Sequence, residues 1–413
     1  MGPIVYFSFP AHGHINPTLS VVRELVRRQE RVVYYATEPF EPAIRETGAL
    51  FRPYSPRLRM PEHGPGPFAQ VSTTLDTLLD FSRAVLDDHL AEVRCLHPGP
   101  ILFDSFAPWG PMVAELLDLP GIASVPSILI DGAIAGRYGT GAPPEDSRLT
   151  PQWYGGFRTR CRNGLRGYGL AEPPAPPQLL QTYGDLNVVY TSRLFQPMAE
   201  SFEPERFQFV GPCFAFRPEE PEFPFERLDS SPDRPLVLVA LGTVYGNQPQ
   251  FLCACLRELA GAPWRVVLST GGDLPAGSLG PIPENCIVRA RVPQIEILRR
   301  AAVFVTHGGM NSVQEALYHG VPMVISPQAA DQFWIAARTA ELDAGVVLEP
   351  EMRPGAIRAG VEQVLSGAGY AAAAGRIGAS LQAAGGAAKA AGEIQRFLRR
   401  TAGGRRREHA CPV

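Results

Sequence analysis

Two histidines near the amino terminus could carry out proton transfer. His12 and His14 lie in the stretch PAHGHINP, which follows the apolar run at residues 4–9. Pro17 suits the first position of a helix and Asn16 the capping residue before it, so the pattern predicts both histidines in a strand-to-helix turn. A neutral histidine there can accept a proton from a hydroxyl group if a carboxylate orients its other ring nitrogen.

The candidate carboxylate is Asp104, in the stretch PILFDSFAPW. It ends a second apolar run, and the carboxyl ends of parallel strands meet at one edge of a sheet. The same residues also fit ordinary structure, with the histidines bonded to the backbone of a turn and Asp104 capping the next helix. The sequence fits both alternatives.

A second polar group follows the apolar run at residues 303–306, in THGGMNSVQEAL. The pattern predicts a glycine turn and then a helix, whose free N–H groups and the Ser312 hydroxyl favour a phosphate, while His307 could add a donor or a positive charge. Glu315 could accept two ribose hydroxyls. Alternatively, Ser312 and Glu315 spell a capping box, in which the glutamate bonds only to the helix backbone.

Three further residues have both a chemical and a structural interpretation. Asp331 and Gln332 either begin a helix or bind the hydroxyls of a sugar. Thr243, in LGTVYG, is either a phosphate ligand or an ordinary turn residue.

The elements that position these residues follow a repeated pattern. Apolar runs alternate with helical periodicity in both halves, which predicts two doubly wound α/β domains with parallel sheets and ligands at the strand carboxyl ends. We expect a first domain at residues 1–215, a linker at 216–235, a second domain at 236–380 and a flexible tail at 401–413. The helix at about 380–400, with Ile394, Phe397 and Leu398 on one stripe, is expected to pack back on the first domain.

Composition excludes several classes of function. The 413 residues carry a net charge of −3, with 45% hydrophobic residues and seven scattered cysteines. This balance gives no basic surface for nucleic acid and no disulfide or zinc framework. No apolar run is long enough for a membrane span and no signal peptide is visible, so we expect a cytoplasmic protein.

Two irregular stretches, at residues 53–70 and 131–178, are rich in glycine and proline and are expected to be functional loops. Aromatic residues in and near them predict a surface for a bulky, partly apolar hydroxyl compound. The residues predicted to contact it are Phe9, Trp109, Trp153, Tyr154 and Phe157. The nearby arginines at 158, 160, 162 and 166 are interpreted as a solvated face.

The stretch VPQIEILRRAAVFVTHGGMNSVQEALYHGVPMVISPQAADQ, residues 292–332, resembles the donor-binding motif of the family 1 inverting glycosyltransferases, which use nucleotide sugars. GHINP agrees with this resemblance, which is greatest to the bacterial macrolide glycosyltransferases. It implies the GT-B fold, in which two Rossmann-like domains face each other across a cleft. The first domain would bind the acceptor and the second the nucleotide sugar.

The resemblance also implies residue roles. His14 falls on the catalytic base and Asp104 on its partner, which leaves His12 without a role. The implied donor-binding residues are Thr243, His307, Asn311 and Ser312 at the diphosphate, Glu315 at the ribose, Asp331 and Gln332 at the sugar, and Arg291, Val292, Gly309 and Met310 around them. Arg291 and Met310 replace tryptophans of the plant motif, so neither the nucleotide base nor the sugar is fixed.

These observations predict transfer of a sugar, first choice glucose from UDP-glucose, to a macrolide, polyketide or flavonoid hydroxyl. No metal or other cofactor is expected, and the protein is expected to be a monomer or homodimer. Thymidine-linked deoxysugar transfer, nucleotide-sugar epimerisation and a non-catalytic helper role are the alternatives.

Overall fold

Two parallel β-sheets, one in each half of the chain, form the framework of the protein. The computed structural model describes residues 2–58, 70–138, 149–170, 175, 179–214, 222–229, 232–242, 248–272, 274, 277–329, 331–349 and 353–408. Within these residues, both sheets contain only parallel pairs of strands. The predicted fold class is confirmed.

The first sheet has the strand order β3-β2-β1-β4-β5-β6-β7. Its strands are β1 (Ile4–Phe7), β2 (Val32–Ala36), β3 (Leu50–Pro53), β4 (Ile101–Asp104), β5 (Gly121–Val125), β6 (Leu186–Val189) and β7 (Phe207–Phe209). The helices of this half are α1 (His12–Arg27), α2 (Glu41–Glu46), α3 (Val71–Cys95), α4 (Trp109–Leu116), α5 (Gly132–Tyr138) and α6 (Pro151–Leu165). The central strands are fully buried apolar runs, as expected when helices cover both faces of a parallel sheet.

The second sheet has the strand order β10-β9-β8-β11-β12-β13. Its strands are β8 (Leu236–Ala240), β9 (Arg265–Ser269), β10 (Cys286–Arg289), β11 (Val303–Thr306), β12 (Met323–Ile325) and β13 (Gly345–Val347). Its helices are α7 (Phe225–Asp229), which lies in the expected linker, α8 (Pro249–Leu259), α9 (Gln294–Leu298), α10 (Met310–Tyr318), α11 (Gln332–Glu341), α12 (Ala356–Ser366) and α13 (Ala368–Ala383).

The order of connection reverses at the centre of each sheet, between β1 and β4 in the first and between β8 and β11 in the second. The segments that leave two such strands diverge and open a crevice at the strand carboxyl ends. His14 follows β1 and Asp104 ends β4, while Gly242 follows β8 and His307 follows β11. Strand order therefore brings together residues that are distant in sequence.

The last helix, α14 (Gly386–Glu408), returns to the first domain. Its apolar side chains Ile394, Phe397 and Leu398 join the core cluster that lies beneath α1. The helix extends into the predicted tail, of which residues 409–413 lie outside the described part of the chain.

The stretch at 131–178 is more regular than its composition predicts, because it contains α5 and α6. The Thr150 hydroxyl caps α6 by accepting from the Trp153 N–H at 3.1 Å, and Pro151 occupies the first turn. This Thr-Pro pair is a helix-start signal that sequence reasoning missed. Residues 139–148, 171–174, 176–178 and 59–69 lie outside the described residues. No helix in the described part of the chain is suited to crossing a membrane.

Candidate active site

The first turn of α1 carries both amino-terminal histidines. The helix begins at His12 with Ala11 as its capping residue, and Pro17 lies inside it. The predicted start, with Asn16 as cap, is therefore wrong. A proline fits within a helix where the carbonyl four residues earlier finds another partner, and the partner found here is described below.

His14 and Asp104 form a hydrogen-bonded pair at the switch point of the first sheet. His14 Nδ1 lies 2.9 Å from Asp104 Oδ1, which also accepts from the Phe106 N–H at 2.7 Å. Asp104 is fully buried, while the His14 side chain is 27% exposed. Asp104 does not cap α4, which begins at Trp109 after Pro108. With Nδ1 paired, Nε2 is the ring nitrogen left to meet a substrate hydroxyl.

Two acidic groups control the pKa of His14. Burial lowers this pKa, but the charge of Asp104, its hydrogen bond and the charge of Asp331 outweigh burial, so the pKa is raised from its ordinary value. The imidazolium form is therefore stabilised next to Asp104. This is the electrostatic environment that a general base requires once it holds a proton.

His12 has a different environment. Its ring packs against Phe40 with centroids 4.8 Å apart, and burial together with the positive charge of Arg291 lowers its pKa. Arg291 of the second domain thus lies close enough to the start of α1 to act on this imidazole. The structure therefore separates the two histidines, since His14 is hydrogen-bonded to Asp104 and His12 packs against Phe40.

Glycines of two turns pack against His307, which follows β11. Gly309 lies in the same turn as His307, and Gly242 follows β8. Gly308 has a φ of +84°, and Gly309 caps α10. A side chain at Gly309 or Gly242 would collide with the His307 imidazole. Burial lowers the pKa of His307 to about 4, so the ring is neutral at physiological pH. Without an anion beside it, the ring therefore lacks the positive charge considered for it and is a neutral hydrogen-bonding group.

Ser312 and Glu315 lie within α10 rather than at its boundary. Because the helix begins at Met310 after Gly309, the capping-box alternative is wrong. Glu315 is 2% exposed, and its Oε2 accepts from Gln294 Nε2 at 2.7 Å. Gln294, the first residue of α9, was missed by sequence reasoning because nothing in its spacing connects it to α10.

Asp331 precedes α11 but does not cap it through its side chain. Its Oδ2 instead accepts a hydrogen bond from the Ser127 hydroxyl of the first domain at 2.7 Å. Burial of the carboxyl group raises the pKa of Asp331. Gln332 is oriented differently. Its Oε1 accepts from the N–H groups of Gln328 and Ala329 at 2.8 and 3.2 Å, so it fixes the preceding turn.

The remaining predicted donor residues divide into two kinds. Val292 and Met310 are 9% and 6% exposed and belong to the core of the second domain, whereas Arg291 is exposed. Asn311 Nδ2 donates to the carbonyl oxygen of Gly13 in α1 at 3.1 Å. Thr243 lies outside the described residues.

The predicted acceptor surface is only partly present. Trp109 and Phe157 are fully buried in the core of the first domain, so their prediction as contact residues is wrong. Trp153 stacks on Phe157 at 5.1 Å, and Tyr154 is 37% exposed. Phe9 is nearly buried but lies against the His14 ring, with centroids 5.0 Å apart.

Comparison with known proteins identifies the class of enzyme to which this chain belongs. Residues 266–395 match the family described as erythromycin biosynthesis protein CIII-like, C-terminal domain. The crystal structure of the glycotransferase of kitacinnamycin matches with a TM-score of 0.80 and 30% identity, over 96% of this chain and 99% of that one. The calicheamicin glycosyltransferase CalG4 matches with a TM-score of 0.76 and 27% identity, over 97% and 99%. The protein is a glycosyltransferase of the GT-B fold.

Relatives define the family more closely. YojK of Bacillus subtilis, named an uncharacterized UDP-glucosyltransferase, is 33% identical over 405 residues, which are 95% of this chain and 97% of that protein. The demethyllactenocin mycarosyltransferase of Streptomyces fradiae is 32% identical over 96% of this chain and 87% of its own length. The chain belongs to the bacterial glycosyltransferase family of macrolide and natural-product type that contains these proteins.

Proposed function

We propose that the protein transfers glucose from UDP-glucose to a hydroxyl group of a bulky, partly apolar acceptor, with inversion at the anomeric carbon. The observation that carries this proposal is the 2.9 Å contact between His14 and Asp104, with Asp331 of the second domain acting on the same imidazole. A proton acceptor of the first domain and a candidate ligand for the transferred sugar in the second domain therefore lie close enough for their charges to interact.

The reaction is a single displacement. The acceptor O–H gives its proton to His14 Nε2, and the oxygen attacks the anomeric carbon from the side opposite the diphosphate. The bond between that carbon and the diphosphate oxygen breaks, and UDP leaves with the electron pair. Asp104 holds the Nδ1–H tautomer of His14 and stabilises the imidazolium as it forms.

The second domain would hold the nucleotide. The free N–H groups at the start of α10, the Ser312 hydroxyl and the neutral His307 ring are suited to the charge that gathers on the diphosphate. Glu315, held by Gln294, would accept the ribose hydroxyls. Asp331 would accept sugar hydroxyls in place of Ser127. Because these groups supply the stabilisation, we propose that turnover needs no metal ion.

The acceptor would lie against the first domain, near Phe9 and next to residues 126–138, which we call the bridging segment. This segment leaves β5 beside Asp104 and extends to the second domain. Ser127 bonds to Asp331, and Ile128 is fully buried in the core cluster of the second domain. These contacts support the proposal that the segment separates the bound acceptor from the sugar.

The far end of the bridging segment is also fixed to the second domain. Arg137 and the Tyr138 hydroxyl both donate to the carboxylate of Glu341, at the end of α11. Arg338 bonds to the same carboxylate at 2.7 Å, and its guanidinium donates to the Phe195 carbonyl oxygen at 2.9 Å. Since α11 begins one residue after Asp331, these contacts connect the sugar-binding and acceptor-binding sides.

A thymidine-linked deoxysugar is the second candidate donor. Arg291 occupies the position where the plant motif has tryptophan, and a planar guanidinium can stack on either pyrimidine. One relative in the family is named a mycarosyltransferase, and that name refers to a sugar other than glucose. The helper alternative is disfavoured because His14 and Asp104 are both present and hydrogen-bonded.

A mass-spectrometric transfer screen tests the proposal. Wild type and His14→Ala are each given UDP-glucose, UDP-GlcNAc and dTDP-glucose with macrolide and flavonoid acceptors, with and without EDTA. We expect a hexose mass gain that persists in EDTA and falls about 100-fold or more in the variant. Equal activity of the variant contradicts the mechanism, and loss in EDTA that is restored by Mg²⁺ contradicts the metal-free proposal.

A further inference from the structure

Pro17 has a specific consequence for the first turn of α1. In a continuous helix, the N–H of residue 17 would donate to the carbonyl oxygen of Gly13, four residues earlier. Proline has no N–H, and its ring crowds that carbonyl, so the ordinary helical partner of Gly13 is missing. Gly13 is the residue between the two histidines, and its carbonyl is therefore available to a group from outside the helix.

Asn311 of the second domain supplies that group. Its Nδ2 donates to the Gly13 carbonyl oxygen at 3.1 Å. Asn311 lies in the first turn of α10, next to Ser312, and its partner is adjacent in sequence to His14. The first turns of α1 and α10 thus face each other. One hydrogen bond joins the Gly13 carbonyl, which precedes His14 in the chain, to the helix expected to hold the diphosphate.

We propose that Pro17 and Asn311 act together as positioning residues, which fix the start of α1, and with it His14, to the donor-binding helix. This inference rests on the proposed function of His14. It assigns to Asn311 a task other than the diphosphate contact that the resemblance implies. It also assigns a reason for a proline inside α1, since an N–H at position 17 would compete with Asn311 for the same carbonyl.

A double-mutant cycle tests the link, with wild type, Asn311→Ala, Pro17→Ala and the double variant. In the wild-type background, Asn311→Ala is expected to lower kcat about three- to tenfold, the range for loss of one hydrogen bond, with UDP affinity changed less than about twofold. In the Pro17→Ala background the same substitution should have almost no effect, because the new backbone N–H at position 17 already satisfies Gly13. Ser312→Ala is the contrast, and it should weaken UDP binding.

Amide hydrogen exchange of the peptide covering residues 11–18, measured with UDP bound, gives a readout that does not need turnover. Exchange should rise in Asn311→Ala but not in the double variant. If wild type binds UDP and transfers no sugar, the proposed function fails while the exchange result still decides the link. Equal losses in both backgrounds, a loss of UDP affinity as large as the loss of kcat, or unchanged exchange in Asn311→Ala would overturn it. The last measurement suffices if Pro17→Ala does not fold.

Discussion

Replacing Asp104 by asparagine separates the charge of this residue from its shape. Asp104 Oδ1 faces both His14 Nδ1 and the Phe106 N–H, whereas the buried Oδ2 has no hydrogen-bond partner within the described part of the chain. An asparagine should therefore direct its oxygen at these two donors and its nitrogen toward the position of Oδ2. The His14 tautomer is preserved, and the negative charge is lost.

The expected loss follows from the strength of the bond. A hydrogen bond to a charged group contributes about 1.5–3 kcal/mol and a neutral one about 0.5–1.5 kcal/mol. Loss of the attraction between carboxylate and imidazolium in this buried site adds to that difference. We therefore expect kcat/KM of Asp104→Asn to fall about ten- to hundredfold at the pH plateau.

The pH profile should change in a defined direction. His14 accepts a proton only when neutral, so kcat/KM rises as pH increases through the pKa of His14. Burial lowers this pKa, but Asp104 and Asp331 raise it above its ordinary value of 6.5. Removing the charge of Asp104 leaves burial less opposed, so the pKa falls and the acidic limb moves to lower pH. The rate deficit should accordingly shrink in acid.

The assay is initial-rate transfer to an aliphatic alcohol, which does not itself titrate as a phenol does. Asp88→Asn is the matched control, because Asp88 bonds to Arg57 on the surface at 2.7 Å. In a His14→Ala background, Asp104→Asn should cost almost nothing more. An acidic limb that stays in place, or equal additional losses without His14, would refute the assignment of Asp104 as the partner of the base.

Two further predictions, with one shared control, concern the rest of the site. Glu315→Gln should weaken UDP binding about tenfold in calorimetry, since a neutral amide accepts ribose hydroxyls less strongly; an unchanged affinity would show that Glu315 only holds Gln294. Glu341→Gln should raise the acceptor KM several-fold and leave UDP affinity unchanged, because Glu341 bonds to the bridging segment and to Arg338 but to none of the groups expected to hold the nucleotide; equal losses in both would count against that assignment. Glu362→Gln is the control for both and should change neither quantity, since its Arg358 partner lies 3.0 Å away on the surface of α12.

Periodicity predicted the architecture because parallel strands buried on both faces must be apolar runs separated by helices. Local signals near prolines were weaker. Pro17 predicted a helix start, yet α1 begins five residues earlier, and the carbonyl that the proline leaves free accepts a hydrogen bond from Asn311 of the other domain. Pro151, in contrast, does lie in a first turn, with Thr150 as its cap.

Aromatic composition was a poor guide to the acceptor surface. Trp109 and Phe157 were predicted to contact a ligand, but both are fully buried. The Trp109 indole donates to the Tyr54 hydroxyl at 3.0 Å within the core. Large aromatic side chains remove the most apolar surface from water, so the core competes with the cleft for them, and sequence does not reveal which one prevails.

The sequence by itself determined two doubly wound domains and the residue types near the two switch points, because periodicity and short motifs are local properties of the chain. Tertiary structure decided how those residues are paired. The contacts of Asp104 with His14, Glu315 with Gln294, Asp331 with Ser127 and Asn311 with Gly13 join positions 90, 21, 204 and 298 residues apart. Such contacts depend on strand order and on how the domains meet, which no local pattern encodes.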